Sequence, residues 1–573
     1  MCYLIGMDDA VWIVAEPSGT AADLAAALGL PPAIGQILFN RKITDAETAR
    51  RFLFGGTADL HDPFLLAGME EAVGRVLQAV ENGERILIFG DYDVDGILSV
   101  VMLHKALSTL GAKVEYFIPE RLSEGYGLKD EHVGVAVERG AALVISVDCG
   151  IKASGFVRKA RERGIEVIIT DHHQPGDEIP DALAVLNPVL PGANYPDRRL
   201  AGVGVTFKLI QALFERTGRT AALRHYLKLV SIGTIADVAE LRGENRILVK
   251  HGLRELDNVA NPGLRSLIDV SGLRGRRISE GDVGFRLGPR INAAGRMGRT
   301  ELAVRLFFST SAAETDALAR ELDGLNAKRQ AEEETIFKQA AERVRTRGLV
   351  RRYKILILGD SGWNRGVIGI VASRLARVFQ RPVILFSCDG EKAQGSGRSV
   401  PEFSLIECLD ACRDAFLSYG GHPQAVGCTL ECGRIPEFRE TANRVAAERI
   451  SEDALRRKLR IDARLGFSDI NGPLWDALSL LDPYGIGNPR PVFLVENAEI
   501  ASPAQRLQGR HVKFLVRQNG WTVEAIGWDR AAWAESVSKG DRVDLAFSLQ
   551  TSTYLGETRL YLGLEGLRRS QRS

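Results

Sequence analysis

Short apolar runs of three to five residues recur between residues 85 and 186, and stretches with helical spacing separate most of them. The runs Arg85–Phe89, Val114–Ile118, Leu143–Val147, Glu166–Thr170 and Leu183–Leu186 read as strands. Leu98–Leu110, Asp130–Arg139 and Lys152–Arg163 read as helices between them. Strands this rich in Val, Ile and Leu are buried on both faces, so the alternation predicts a parallel sheet covered by helices.

The pattern differs on either side. Residues 20–80 carry helical spacing, and Thr44-Asp45-Ala46-Glu47 has the spacing of a capping box. Ser311–Arg347 is a long charged helix with Leu318, Leu322 and Leu325 on one stripe, suited to joining two lobes. A second α/β unit follows, with strands Lys354–Leu358 and Pro382–Phe386 and a helix near Ile368–Phe379. After Ala463 the chain turns β-rich. Val492–Val495, His511–Arg517, Thr522–Trp528, Arg542–Leu549 and Thr558–Leu564 are candidate strands, with a helix-like insert at Arg530–Val537. Five such strands suit a small barrel of the OB type.

The predicted architecture is therefore two α/β lobes joined by a long helix, plus a C-terminal OB-type β-barrel. The boundaries fall at 1–75 for an N-terminal helical segment, 76–310 for the first lobe and 311–348 for the connecting helix. The second lobe takes 349–455 and the barrel 456–573. At roughly 150 residues per domain, the 573 residues suggest about four domains.

Composition narrows the class without choosing a function. With 45% hydrophobic and 26% charged residues, the chain has an ordinary globular composition. A net charge of +1 leaves nucleic acid open, because a basic groove can be offset by acidic surface elsewhere. The seven cysteines form no Cys-x-x-Cys pair, which argues against a zinc ribbon and for reduced thiols in a cytoplasmic protein. Met1–Pro17 lacks the basic start of a signal peptide, and no uncharged run approaches the length of a membrane span.

The candidate chemistry gathers at strand ends, where open parallel sheets bind ligands. The first strand leads into Asp91, Asp93 and Asp95, the third into Asp148, and the fourth into Asp171, His172 and His173. Asp237 lies in the apolar segment Ser231–Val238, where a lone charge needs a partner. Taken singly, each has an ordinary reading: a solvated turn, a helix N-cap, a surface histidine pair. Together they would repel strongly unless cations neutralise them. Mixed carboxylate and imidazole donors suit Mn²⁺ or Mg²⁺ better than structural zinc. Two such ions about 4 Å apart clamp an in-line displacement at phosphorus. His172 is expected to ligate, and His173 to face a substrate phosphate or a neighbouring carboxylate.

These residues resemble the motifs of the DHH phosphoesterase family, whose name is the triplet at Asp171–His173. The resemblance runs through Gly90–Gly96, Val147–Gly150, Thr170–His173 and Gly233–Val238. It continues through Gly288–Arg296, Gly420–His422 and Pro483–Pro489, and so covers nearly the whole chain. It implies a DHH lobe, a smaller DHHA1 lobe and an OB module. It implies that Asp93, Asp95, Asp148, His172 and Asp237 bind manganese, with Asp91 and His173 close by. Two Mn²⁺ ions are expected, with Mg²⁺ as the substitute. The implied reaction is stepwise hydrolysis of single-stranded DNA from its 5′ end, releasing mononucleotides, in repair and recombination. A single-strand-binding protein and a helicase are the implied protein partners. Leu98 stands where the family usually has threonine, and Asn364 where it usually has histidine.

Single strands are held by cationic grooves and aromatic stacking. By resemblance, Arg121 would contact a 5′-phosphate and Tyr126 would stack on a base. Gly395-Ser396-Gly397-Arg398-Ser399 offers backbone N–H groups, hydroxyls and a guanidinium to phosphate oxygens. Arg290, Asn292 and Arg296 are placed along the cleft between lobes, and His422 at the scissile phosphate. Gly202-Val203-Gly204 reads as a tight turn. In the barrel, Arg506, Arg510, Lys513 and Arg517 accompany Phe514 and Trp528, either as a strand-binding face or as core aromatics beside solvated charges. Two other functions compete with the exonuclease: a phosphodiesterase for short oligoribonucleotides or cyclic dinucleotides, and a binding scaffold without chemistry.

Overall fold

The apolar runs between residues 85 and 186 form one parallel sheet, as their composition predicts. The computed structural model describes residues 10–120, 127–554 and 557–570. Two units emerge, one from residues 62–237 and 252–456, the other from residues 10–61, 238–251 and 457–570.

In the first unit the strands are β1 (Arg85–Gly90), β2 (Lys113–Phe117), β3 (Leu143–Val147), β4 (Glu166–Thr170) and β5 (Ala184–Leu186). Their order is β2-β1-β3-β4-β5, and every neighbouring pair is parallel. All of β3 is buried, which is why it shows no polar alternation. The chain leaves β1 toward β2, then crosses back to β3 on the other side. That reversal opens a crevice at the carboxyl ends of β1 and β3. Gly90 pairs with Val147, and Val147 with Thr170. Residues 91, 148 and 171 therefore leave the sheet side by side.

The predicted long helix runs from Ala312 to Thr346, with the Ser311 hydroxyl accepting from Glu314 N–H as its cap. Its later turns (Ile336, Phe337, Ala340, Val344) pack against Leu356, Leu358 and Val371 of the second lobe. That lobe contains β6 (Leu356–Asp360), β7 (Val383–Asp389), β8 (Lys392–Arg398), β9 (Ser418–His422) and β10 (Ala425–Glu431), in the order β9-β10-β8-β7-β6. The sequence reading missed β8, β9 and β10, because glycines replace the apolar alternation. In β8 the glycines are a packing requirement. A Cβ on Gly395 would stand 2.5 Å from the Phe386 ring, and one on Gly397 would stand 2.6 Å from Val426.

The expectation for Gly395–Ser399 needs correction. β8 is hydrogen-bonded on both sides, to β7 and β10, so the backbone of Gly395–Gly397 serves the ladder and not a phosphate.

In the second unit, five strands close a barrel: Phe493–Ile500, His511–Gln518, Trp521–Gly527, Arg542–Tyr554 and Glu557–Arg569. Each pairs with two others of the set, so the ladder returns on itself as an OB-type barrel requires. Ile34, Ile37, Leu38 and Leu53 of the N-terminal helices share one core with Leu474, Phe493 and Trp533 of this region. Arg246 is buried there and donates to the carbonyls of Phe52, Leu480, Asp482 and Pro483, which fastens residues 238–251 to the unit.

Two smaller expectations also change. The third helix, Ala46–Phe54, is capped by Asp45, whose carboxylate accepts from Thr48 N–H at 2.8 Å, so the capping box does not form. On the barrel, Phe514 is core and cannot stack on a base. Arg506, Arg510, Lys513 and Arg517 are ion-paired with Glu535, Asp529, Glu524 and Glu499. Trp528 remains 48% exposed, edge-on to His511. Among the described residues, no single helix is long and apolar enough to cross a membrane.

Candidate metal centre

Each acidic residue is aimed by a local constraint. Asp93 is the N-cap of the helix Val94–Thr109, its carboxylate accepting from Gly96 N–H at 3.1 Å. Gly96 must lack a side chain, because a Cβ there would lie 2.5 Å from the Asp91 carbonyl oxygen. Asp95 stands in the first turn of that helix, where the helix dipole favours negative charge.

A second helix completes the setting of Asp95. The Gly202 and Val203 N–H groups each donate to its carboxylate at 2.7 Å. Gly202–Gly204 is thus not a tight turn but the start of the helix Gly202–Arg216. Its orphan N–H groups need an acceptor, and Asp95 supplies one from a distant stretch of chain.

Asp148 follows β3 in a left-handed backbone conformation, φ 59°. That region costs a non-glycine residue on the order of 1–3 kcal/mol, which the surroundings must offset. The N–H of Asp148 donates to Thr170 O at 2.9 Å, which ties the turn to β4. Gly150, two residues on, has φ 115°.

The Asp171-His172-His173 triplet divides its labour. The Asp171 carboxylate accepts from the N–H groups of Ile151, His172 and His173, and pairs with His173 Nδ1 at 2.7 Å. It orients the loop and the second imidazole. His172 turns the other way: its Nε2 lies 3.1 Å from Asp148 and 3.9 Å from Asp95.

Three overlapping groups result, each with donor atoms within 4.8 Å of one another: Asp91–Asp93–Asp148, Asp95–His172–Asp237 and Asp148–His172–His173. Asp237 reaches the second group from the C-cap of the helix Leu227–Ala236. Asp95 and Asp148 are 1% and 2% exposed. Two like charges about 4 Å apart cost roughly 4 kcal/mol at an effective dielectric near 20. Protons respond accordingly. Burial, then the charge of Asp93, pushes the Asp95 carboxyl up to about 7. Burial, then Asp95 and Asp93, pushes Asp237 up to about 9. Asp148 rises well above the carboxylate range through burial and four neighbouring carboxylates.

Burial, then His173, lowers His172 to about 4, so its imidazole is neutral, as a ligand must be. Burial opposes charge on His173 too, but the Asp171 hydrogen bond and charge, with Asp91 and Asp95, outweigh it and raise its pKa. The neighbouring Cys149 thiol is pushed up by burial and is no competing ligand. Crowded carboxylates with one neutral imidazole are a donor set for hard divalent cations.

The remaining candidates lie elsewhere. Asn292 accepts from Val94 N–H at 3.2 Å and steadies the turn that bears Asp93 and Asp95. A Cβ on Gly295 would stand 2.4 Å from the Tyr92 carbonyl oxygen, so the helix Gly288–Arg296 presses directly on that turn. Arg290 pairs with Asp323, and Arg296 donates to Gly366 O. The Arg398 guanidinium donates to Ser396 Oγ and Gly397 O. Asn364 donates to Glu332 and accepts from Gly366 N–H, a structural duty. Arg121 and Tyr126 lie outside the described residues. His422, from β9, meets the first lobe across a cavity of about 300 Å³ whose wall includes Asp171, His173 and Lys152. Sequence reasoning missed the part played by Gly202 and Val203, which are backbone donors and leave no side-chain signal.

The chain is similar to known proteins along most of its length. Residues 85–234 match the family model described as DHH family, N-terminal domain; residues 352–448 match the DHHA1 domain; residues 461–566 match the RecJ OB domain. The single-stranded-DNA-specific exonuclease RecJ of Bacillus subtilis (strain 168) is 39% identical over 539 residues, 93% of this chain and 68% of that protein. RecJ of Escherichia coli (strain K12) is 33% identical over 572 residues, 95% of this chain and 97% of that one. The crystal structure of Thermus thermophilus RecJ in complex with Mn²⁺ superimposes with a TM-score of 0.83 at 34% identity, covering 98% of this chain and 80% of that one. The Mg²⁺ complex of the same protein gives 0.78.

Proposed function

Because the chain belongs to the RecJ family of single-stranded-DNA-specific exonucleases, we propose that it removes nucleotides one at a time from the 5′ end of single-stranded DNA, in repair and recombination. The observation that carries this reading is the convergence of five aspartates and His172 at the switch point of the parallel sheet.

Asp91, Asp93 and Asp148 would hold one divalent ion, and Asp95, His172 and Asp237 would hold the other. Manganese is the proposed ion, and magnesium fits the same donors; related structures contain one or the other. When bound, such ions neutralise the carboxylates, activate water and stabilise the leaving oxygen. Asp171 holds His173 by Nδ1 and favours its protonated form, which leaves the other ring nitrogen to donate to the phosphate. His422 approaches the same phosphate from the second lobe. Ser396 and Arg398 bind farther along the strand, and Arg290, Asn292 and Arg296 hold the elements between the lobes in place. Arg121 and Tyr126 grip the 5′ end.

A single-strand-binding protein and a helicase fit as suppliers of the substrate, and chromosomal DNA places the enzyme in the cytoplasm. The relatives cover the barrel as well as the catalytic lobes, which favours a long polymer over an oligoribonucleotide or cyclic dinucleotide. A strand labelled separately at each end decides polarity and product. Early release of a labelled mononucleotide from the 5′ end alone is expected; release from the 3′ end contradicts the reading.

A further inference from the structure

The cavity between the lobes has one feature that the metal chemistry does not use. Its wall is Gly127, Leu128, the turn Gly150–Ala153, Asp171, His173 and His422. Four of these residues are ionisable: Lys152, Asp171, His173 and His422. Asp171 and His173 neutralise each other as an ion pair. His422 is held toward its neutral form by burial, then by the charges of Lys152 and His173. Lys152 is the remaining ionisable side chain among the described residues of the wall. Lys152 is exposed and forms no ion pair or hydrogen bond among the described residues. It sits two residues after Gly150 and just before Ala153, which caps the helix Ser154–Glu162 without a side-chain acceptor.

A lysine side chain that shares a cavity of about 300 Å³ with two imidazoles suits a phosphate group. We infer that Lys152 is a substrate-positioning residue that binds a backbone phosphate of the single strand between itself, His173 and His422. This rests on the exonuclease reading. Lys152 touches none of the proposed metal-binding groups, so its contribution is to binding the strand and not to the bond-breaking step.

The test compares Lys152→Ala, Lys152→Arg and Lys152→Glu with the unchanged protein on a long single strand with Mn²⁺, and measures binding in chelator across a salt series. Loss of one charge-assisted phosphate contact should raise KM about tenfold in Lys152→Ala, with kcat held within about twofold. The slope of log affinity against log salt should fall by about 0.7, the value for one single-strand phosphate. Lys152→Arg should restore both, and Lys152→Glu should bind worse than Lys152→Ala. Exposure of the side chain means that folding is not at stake. An active wild type with unchanged KM and salt slope in Lys152→Ala overturns the role of Lys152 alone. A wild type inert toward single strands overturns the exonuclease reading and this inference together.

Discussion

Gly202 stands so close to Asp148 that a Cβ on it would lie 2.6 Å from the carboxylate oxygen and 2.8 Å from the Asp148 Cβ. The same residue donates its N–H to Asp95 at 2.7 Å. One backbone position thus fixes two acids that follow different strands. In Gly202→Ala the added methyl group must displace either the helix or Asp148. A misplacement near 1 Å in a catalytic constellation costs about 10²-fold in rate. The variant is expected to stay folded by circular dichroism, bind Mn²⁺ more weakly by calorimetry, and lose activity on that scale. Wild-type metal affinity would contradict this.

Asp148→Asn separates charge from shape. Asparagine tolerates the left-handed backbone that Asp148 occupies, so the turn survives. Hydrolysis should fall by at least about 10³-fold, since one proposed ion site loses a ligand that also lies 3.1 Å from His172 of the other. In chelator the variant should melt at a higher temperature than the parent, because an amide carries none of the cost of burying an ionisable carboxyl among other carboxylates. A lower melting temperature would show that the carboxylates do not strain the metal-free fold.

The same crowding sets a pH dependence. Asp95 and Asp237 have pKa values raised to about 7 and about 9 in the folded protein, above the 3.8 of an ordinary aspartate. A raised acid favours the folded state fully below the unfolded pKa, and that contribution is lost as pH rises through the folded value. Metal-free protein should therefore lose thermal stability from pH 4 toward pH 9, through the range set by those two groups. Mn²⁺ should raise the melting temperature more at pH 8 than at pH 5, because protons no longer compete for the ligands at the higher pH. A flat or rising profile in chelator would exclude this electrostatic picture.

Asp171→Asn removes the carboxylate that favours charged His173. The alkaline limb of kcat/KM should then move to lower pH, with roughly a tenfold loss at pH 8. An unshifted profile would mean that His173 does not act as a cation toward the phosphate.

Much of this site is legible in the sequence. Asp91, Asp148 and Asp171 each follow an apolar run, and a run that ends in an acid marks the carboxyl end of a strand. The helix Ala312–Thr346 and the helix Ile368–Phe379 were readable because their periodicity is uninterrupted. Hidden features were of two physical kinds. Gly202 and Val203 act through backbone N–H groups, which carry no residue signature. β8 is a strand in which close packing against Phe386 and Val426 demands glycine at 395 and 397, so composition argues for a loop where the structure has a sheet. On the barrel, the sequence leaves Lys513 and Arg517 open between a strand-binding face and solvated charges, because it does not show that Glu524 and Glu499 stand beside them.

The central claim is that these side chains share paired divalent cations. Anomalous diffraction from crystals grown with Mn²⁺ measures this directly. Two peaks about 4 Å apart are predicted, one bounded by Asp91, Asp93 and Asp148 and the other by Asp95, His172 and Asp237. A single peak, or peaks that leave Asp148 and His172 without a metal neighbour, would contradict the account.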